Sequence, residues 1–156
     1  MRPSKIRTIK TKYAWWLPSH FSATMLFGTL YYGDKNEVID DVTLNHEQIH
    51  VNQAFTTKDS WWRYYLTYIW LWIRNIPLMS INFYAPYKFD EFELEAFLHE
   101  EDLEYKWHTA IQWKTFKRKL KLKDKRQLAK LWYGHSPESI EIKMKGFANF
   151  IKDYIL

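Results

Sequence analysis

The sequence predicts an α+β fold that is mostly helical, with a small β-hairpin or sheet near its start and a series of helices after it. Three observations predict it. Hydrophobic residues make up 47% of the 156 residues and include 9 Trp, 11 Tyr and 10 Phe, enough for a sizeable core in a single domain spanning 1–156. Gly (4) and Pro (5) are scarce, which argues against disorder and against loop-rich β-sandwiches. β-favouring residues gather in one stretch near the start, whereas apolar positions beyond residue 44 recur at helical spacing.

Taken in order, Met25–Tyr32 (MLFGTLYY) is expected to be a strand ending in the turn signal Gly33-Asp34-Lys35-Asn36, with Glu37–Asp40 returning as a second short strand. Thr43 is the expected N-cap of a helix over Leu44–Thr57, where Leu44, Gln48, Val51 and Phe55 recur on one side. Trp61–Ile76 predicts a second helix, stopped by Pro77. Pro86 precedes a third, over Lys88–His108, with Asp90 and Glu91 in the first turn, where carboxylates offset the positive end of the helix dipole. One basic helix is expected over Trp113–Trp132, ended by Gly134–Pro137, and an amphipathic helix over Ile140–Ile155. Residues 25–108 read as the core and 109–156 as a basic C-terminal helical extension.

Composition narrows the chemistry. With no Cys there is no disulfide framework, thiol nucleophile or Cys-based zinc knuckle, so a metal has to be held by His, Asp or Glu. No Gly-rich phosphate loop and no G-x-S-x-G elbow occurs. The net charge of +5 is unevenly spread: Asp90 to Glu104 holds eight acids and no base, and Lys106 to Lys130 holds ten bases and Asp124 alone as an acid. The two blocks are expected to occupy different surfaces or to neutralise each other. Residues 114–130 read as a solvated helix face or as a contact for nucleic acid or anionic lipid. The aromatic stretch 61–73 reads as core, or as a contact at the headgroup level of a membrane, given Arg63 and Arg74.

The N-terminus is basic like a signal peptide, but Pro18 and His20 interrupt the stretch that should be uniformly apolar, so no cleavage is expected. Tyr64–Ile81 is broken by Arg74, Asn75 and Pro77 and is too short to span a bilayer. A cytoplasmic or membrane-surface location is expected rather than secretion.

The chemistry concentrates in His46-Glu47-Gln48-Ile49-His50, an H-E-x-x-H pattern. Imidazoles at i and i+4 lie one turn apart on one helix face and can share a zinc ion, and the Glu at i+1 can act as general base on a water. A third ligand is expected from the acidic helix downstream. Glu93, Ala96 and Phe97 share its inward face, so Glu93 is the expected ligand and Glu95, rotated roughly 200° from it, the next choice. Ala96 is small enough for the two helices to pack closely. His20, His99, His108 and His135 carry no motif.

The run Thr43-Leu44-Asn45-His46-Glu47-Gln48-Ile49-His50, an aromatic helix and then Phe92-Glu93-Leu94-Glu95-Ala96-Phe97 resembles a group of short uncharacterised bacterial and phage proteins carrying TLNHExIH followed by FExEAY. Their pattern is similar to the gluzincin metallopeptidases, whose second zinc helix often reads E-x-x-A-D. Over Met25–Tyr105 the resemblance implies a metallopeptidase-like core with a pair of zinc-binding helices: His46, His50 and Glu93 as ligands of Zn²⁺, and Glu47 as base. Gluzincins place Asp or Asn four residues after the Glu ligand to orient a ligating His. Here that position is Phe97, and support is expected from Asn45, His99 or a backbone carbonyl.

The expected function is zinc-dependent hydrolysis of peptide bonds in a peptide or protein substrate. Tyr84, Tyr87 and His99 are the candidates for the oxyanion, and a strand near Gly28 the candidate for aligning substrate by strand addition. The alternative is a non-enzymatic structural or interaction protein on a metallopeptidase-like scaffold, associated with phage, membrane or nucleic acid.

Overall fold

A computed structural model describes residues 10–17, 23–33, 39–105, 112–134 and 146–152. Its architecture is α+β and mostly helical. Strands β1 (Lys10–Tyr13), β2 (Ala23–Leu26) and β3 (Thr29–Tyr32) form a sheet in the order β1-β3-β2, with β3 parallel to β1 and antiparallel to β2. Met25–Tyr32 is therefore not one strand. It reverses at Phe27–Gly28, where φ is 50° and 81°, the positive values that a two-residue hairpin turn needs to match strand twist. A Cβ on Gly28 would lie 3.2 Å from the Trp61 ring, a tight approach that adds to the preference for glycine set by φ. Of the expected second strand, residues 37–38 lie outside the described residues, and Ile39 and Asp40 are not in a strand but lead into a helix.

Helix α1 (Asp41–Thr56) starts earlier than Thr43 because the Asp40 carboxylate accepts from Thr43 N–H at 2.7 Å and is the cap. Helix α2 (Trp61–Arg74) is capped by Ser60, and a 3₁₀ turn over Ile76–Ser80 follows, with Pro77 near its start. The expected third helix, over 88–108, is shorter: α3 (Ala85–Lys88) is a separate turn before it, and α4 (Glu91–His99) begins after Asp90, whose side chain accepts from Phe92 N–H at 2.9 Å. It ends at His99 because Asn45, from α1, gathers the carbonyls of His99, Glu100 and Asp102 at 3.0, 2.7 and 2.9 Å. Residues 106–108 lie outside the described residues.

The basic helix is also two, α5 (Gln112–Lys119) and α6 (Leu122–Gly134). Between them Lys121 N–H donates to Asp124 at 2.9 Å, a cap made by the one acid of the basic block. Residues 146–152 are helical, and the rest of the expected last helix lies outside the described residues.

Helix α4 is the hub, with every side chain from Glu91 to Leu98 buried. Leu94, Phe97 and Leu98 pack with Phe89, Phe116, Trp132 and Phe147. On another side Phe92 stacks on Tyr64 at 4.9 Å and meets Trp113 edge-on at 4.7 Å, each such ring contributing roughly 1.5–3 kcal/mol by its burial. Toward α1, Ala96 meets Ile49, and the small side chain lets the two helices approach. The charge blocks neutralise each other at one buried pair, and much of the basic block stays exposed. Lys125 is buried and reaches Glu91 at 2.8 Å and Asn75 at 2.9 Å, whereas Lys114, Lys117, Arg118, Lys119 and Lys121 are exposed. Among the described residues no helix is long and apolar enough to cross a membrane.

Candidate metal centre

On α1, His46 and His50 lie one turn apart and turn inward with Ile49, which packs on Ala96 of α4. Their Nε2 atoms are 3.2 Å apart. Glu93 comes between them from α4, with Oε2 3.3 Å from His46 Nε2 and Oε1 3.4 Å from His50 Nε2. One ligand atom from each of the three side chains lies within 4.8 Å of the others; all three are buried, and the group could hold a metal ion. Glu95 faces away, accepting from Gln53 Nε2 and Trp113 N–H at 3.0 Å each, and Glu91 pairs with Lys125. Glu47, in the same turn as the histidines, is half-buried and is the member of the motif that reaches solvent.

The outer nitrogens show what the inner ones offer. His46 Nδ1 lies 2.9 Å from Glu100 Oε2, a carboxylate that can only accept. His50 Nδ1 lies 2.9 Å from Gln53 Oε1, and the orientation of that amide is set because its Nε2 donates to Phe92 O at 2.9 Å and to Glu95. Both Nδ1 atoms therefore act as donors, which leaves the Nε2 of each ring facing Glu93, protonated against its carboxylate without a metal and offering a lone pair once a cation displaces that proton. Two nitrogens and a carboxylate oxygen, each side chain anchored from behind, are a donor set that fits a divalent cation.

Glu100 supplies the carboxylate that Phe97 does not, while the Phe97 ring packs against His46 at 4.9 Å. Asn45 acts one step further out, holding the end of α4 so that Glu100 reaches His46. His99, the other expected support, stacks on Tyr105 and bonds Gln112 at 2.6 Å instead. Sequence reasoning overlooked Glu100 and Gln53, although Glu100 follows Glu93 by seven residues, two helical turns on the same side, and Gln53 follows His50 by three.

The charges are strongly coupled. Burial works against a positive His46, but the Glu100 hydrogen bond and then Glu93 outweigh it and raise its pKa to about 10. Burial likewise opposes a charged His50, and the Glu93 carboxylate raises its pKa. Burial also opposes the Glu93 anion, yet the charge of His50 and hydrogen bonds from both imidazoles hold it below the usual carboxylate range. Glu47 is pushed up by burial and pulled back in part by His50 and His46, so its carboxylate is readier to take a proton than an exposed one.

Two phenols complete the surroundings. Tyr68 OH, from α2, donates to Glu93 Oε1 at 2.8 Å, and Tyr87, from α3, lies close enough to feel the Glu93 charge. Burial and then the Glu93 charge raise both phenol pKa values well above normal, which keeps them as donors. Tyr87 was within reach of sequence reasoning and Tyr68 was not, since nothing in an aromatic helix distinguishes one Tyr from the next. Tyr84 lies exposed against Phe83. Gly28 sits in the hairpin turn, and β3 beside it is paired on both edges, so β3 itself offers no free edge to a substrate strand. No protein-family model, curated protein or solved structure matches this chain.

Proposed function

We propose that this chain is a zinc-dependent hydrolase of peptide bonds, with His46 Nε2, His50 Nε2 and a Glu93 oxygen as ligands and Glu47 as general base. The observation that carries the reading is the convergence of two imidazole Nε2 atoms on Glu93, each ring held from behind by the hydrogen bond from its Nδ1 to Glu100 or Gln53. A three-residue donor set of this kind leaves a position for water, and zinc bound there would supply Lewis-acid activation of that water and of the scissile carbonyl. Glu47 takes the proton of the attacking water as oxygen bonds to the carbonyl carbon, and passes it to the amine nitrogen as the C–N bond breaks. The one Tyr68 proton stays on Glu93, and Tyr87, which remains protonated, is the candidate donor where negative charge develops on the carbonyl oxygen.

The test is peptide hydrolysis by zinc-loaded protein beside Glu47→Gln. The variant keeps its metal and loses roughly 10²- to 10⁴-fold in rate. Equal turnover by both removes Glu47 from the reaction, and no turnover by the wild type across a broad peptide library removes the enzyme.

A second reading follows from the exposed bases of α5 and α6. They favour contact with an anionic surface, and a scaffold that binds rather than hydrolyses would use them.

A further inference from the structure

The outward face of α2 is the largest feature that the metal centre leaves unused. At about 100° per residue, Trp62, Leu66, Ile69, Trp70 and Ile73 fall within one arc of about 100°, opposite the buried Tyr64 and Leu71. Trp62 is 75% exposed and Trp70 56%. The apolar surface continues beyond both ends of the helix. At its start Phe27, on the hairpin tip, packs on Trp61 and Tyr65 yet stays 63% exposed, and past its end Ile76 is exposed. Contiguous apolar surface along a whole helix of about 21 Å marks an interaction site.

Charge says what covers it. No Asp or Glu occurs between residues 60 and 89, and the exposed Arg63 and Arg74 stand along one border of the stripe, at opposite ends of the helix. A second copy docked antiparallel would bring Arg63 of one chain to Arg74 of the other, like charge on like, with no acid on the face to relieve it. A surface of phosphate headgroups over hydrocarbon matches both features: Trp rings settle at headgroup level, Leu and Ile enter the acyl boundary, and arginines at the border pair with phosphates. The helix has 14 residues, suited to lying in the interface and too short to span it.

We propose that the outward face of α2 docks the protein on the surface of an anionic phospholipid bilayer. The inward face of the same helix carries Tyr68 onto Glu93, so docking sets the candidate metal centre directly beneath the membrane surface. Docking itself does not depend on the metal reading.

The experiment is co-sedimentation of the full chain with vesicles of phosphatidylcholine alone or with added phosphatidylglycerol. Binding to the anionic vesicles is expected, weakened at least about tenfold by Trp62→Ser/Ile69→Ser/Trp70→Ser, since each apolar side chain withdrawn from the boundary loses its burial. Arg63→Gln and Arg74→Gln each weaken it about fivefold. These residues are exposed, and circular dichroism checks that helicity is kept; if the triple variant loses helicity, the two arginine variants decide. Three results overturn the proposal: no binding to anionic vesicles; binding unchanged by the α2 variants but abolished by Lys117→Gln/Arg118→Gln/Lys119→Gln/Lys121→Gln; or a lipid-free dimer that the triple variant dissolves while wild type ignores vesicles.

Discussion

Replacing Glu100 tests how the candidate centre is supported. Glu100 Oε2 accepts from His46 Nδ1 at 2.9 Å with both side chains buried, a charge-assisted bond whose loss costs about 1.5–3 kcal/mol. If that bond orients His46 and makes its Nε2 more basic, Glu100→Ala weakens zinc affinity roughly 10- to 100-fold. The same carboxylate also strengthens the competing proton, because it is the leading cause that raises the His46 pKa to about 10. Zinc must displace that proton, so wild-type affinity climbs with pH until about 10. In Glu100→Ala the pKa falls and the climb stops at a lower pH. The deficit is therefore widest at alkaline pH and narrows toward neutrality. Zinc competition against a calibrated chelator between about pH 6 and pH 9 reads the continuing climb of the wild type against the earlier levelling of the variant. Profiles that superimpose, from a variant that keeps its helicity, would refute the role given to Glu100.

Other outcomes follow from the same network. The metal-free protein loses stability as pH rises: a raised His46 pKa stabilises the fold fully below its ordinary value of 6.5, and that contribution is lost as pH passes through about 10. The zinc-loaded protein, whose imidazoles are already deprotonated, shows a smaller fall; thermal unfolding with and without chelator measures the difference. Lys125→Met leaves the Glu91 carboxylate buried and unpaired and costs about 3–5 kcal/mol in urea unfolding, whereas an exposed change such as Lys123→Met stays within about 0.5 kcal/mol.

What was legible in the sequence was what repeats locally. His46 and His50 share a helix face by spacing alone, and helical phase separates Glu93 from Glu95, so the three converging side chains and the packing of Ala96 on Ile49 could be anticipated. Element ends could not, where a distant side chain decides them. Helix α4 stops at His99 because Asn45 reaches across from α1, and that contact also places Glu100. The hairpin turn was misplaced because Gly33-Asp34-Lys35-Asn36 carries the stronger turn composition, whereas Phe27 takes a positive φ that its residue type does not announce. The break between α5 and α6 has no Gly or Pro; its one signal is Asp124, a lone acid in a basic run that caps Lys121. The exposed stripe on α2 was visible as aromatic composition, but which rings face outward depended on how Tyr64 and Leu71 dock against α4 and its neighbours.

His46, His50 and Glu93 are proposed to hold one metal ion together. The most direct test of this is metal content after equilibration with chelator-buffered zinc and gel filtration, for the wild type beside His46→Ala and Glu93→Gln, with circular dichroism to establish that each is folded. About one zinc per wild-type chain is expected, the count allowed by the one donor set found among the described residues, and almost none in either variant. Folded wild-type protein that retains no zinc, or variants that retain as much as the wild type, would contradict it.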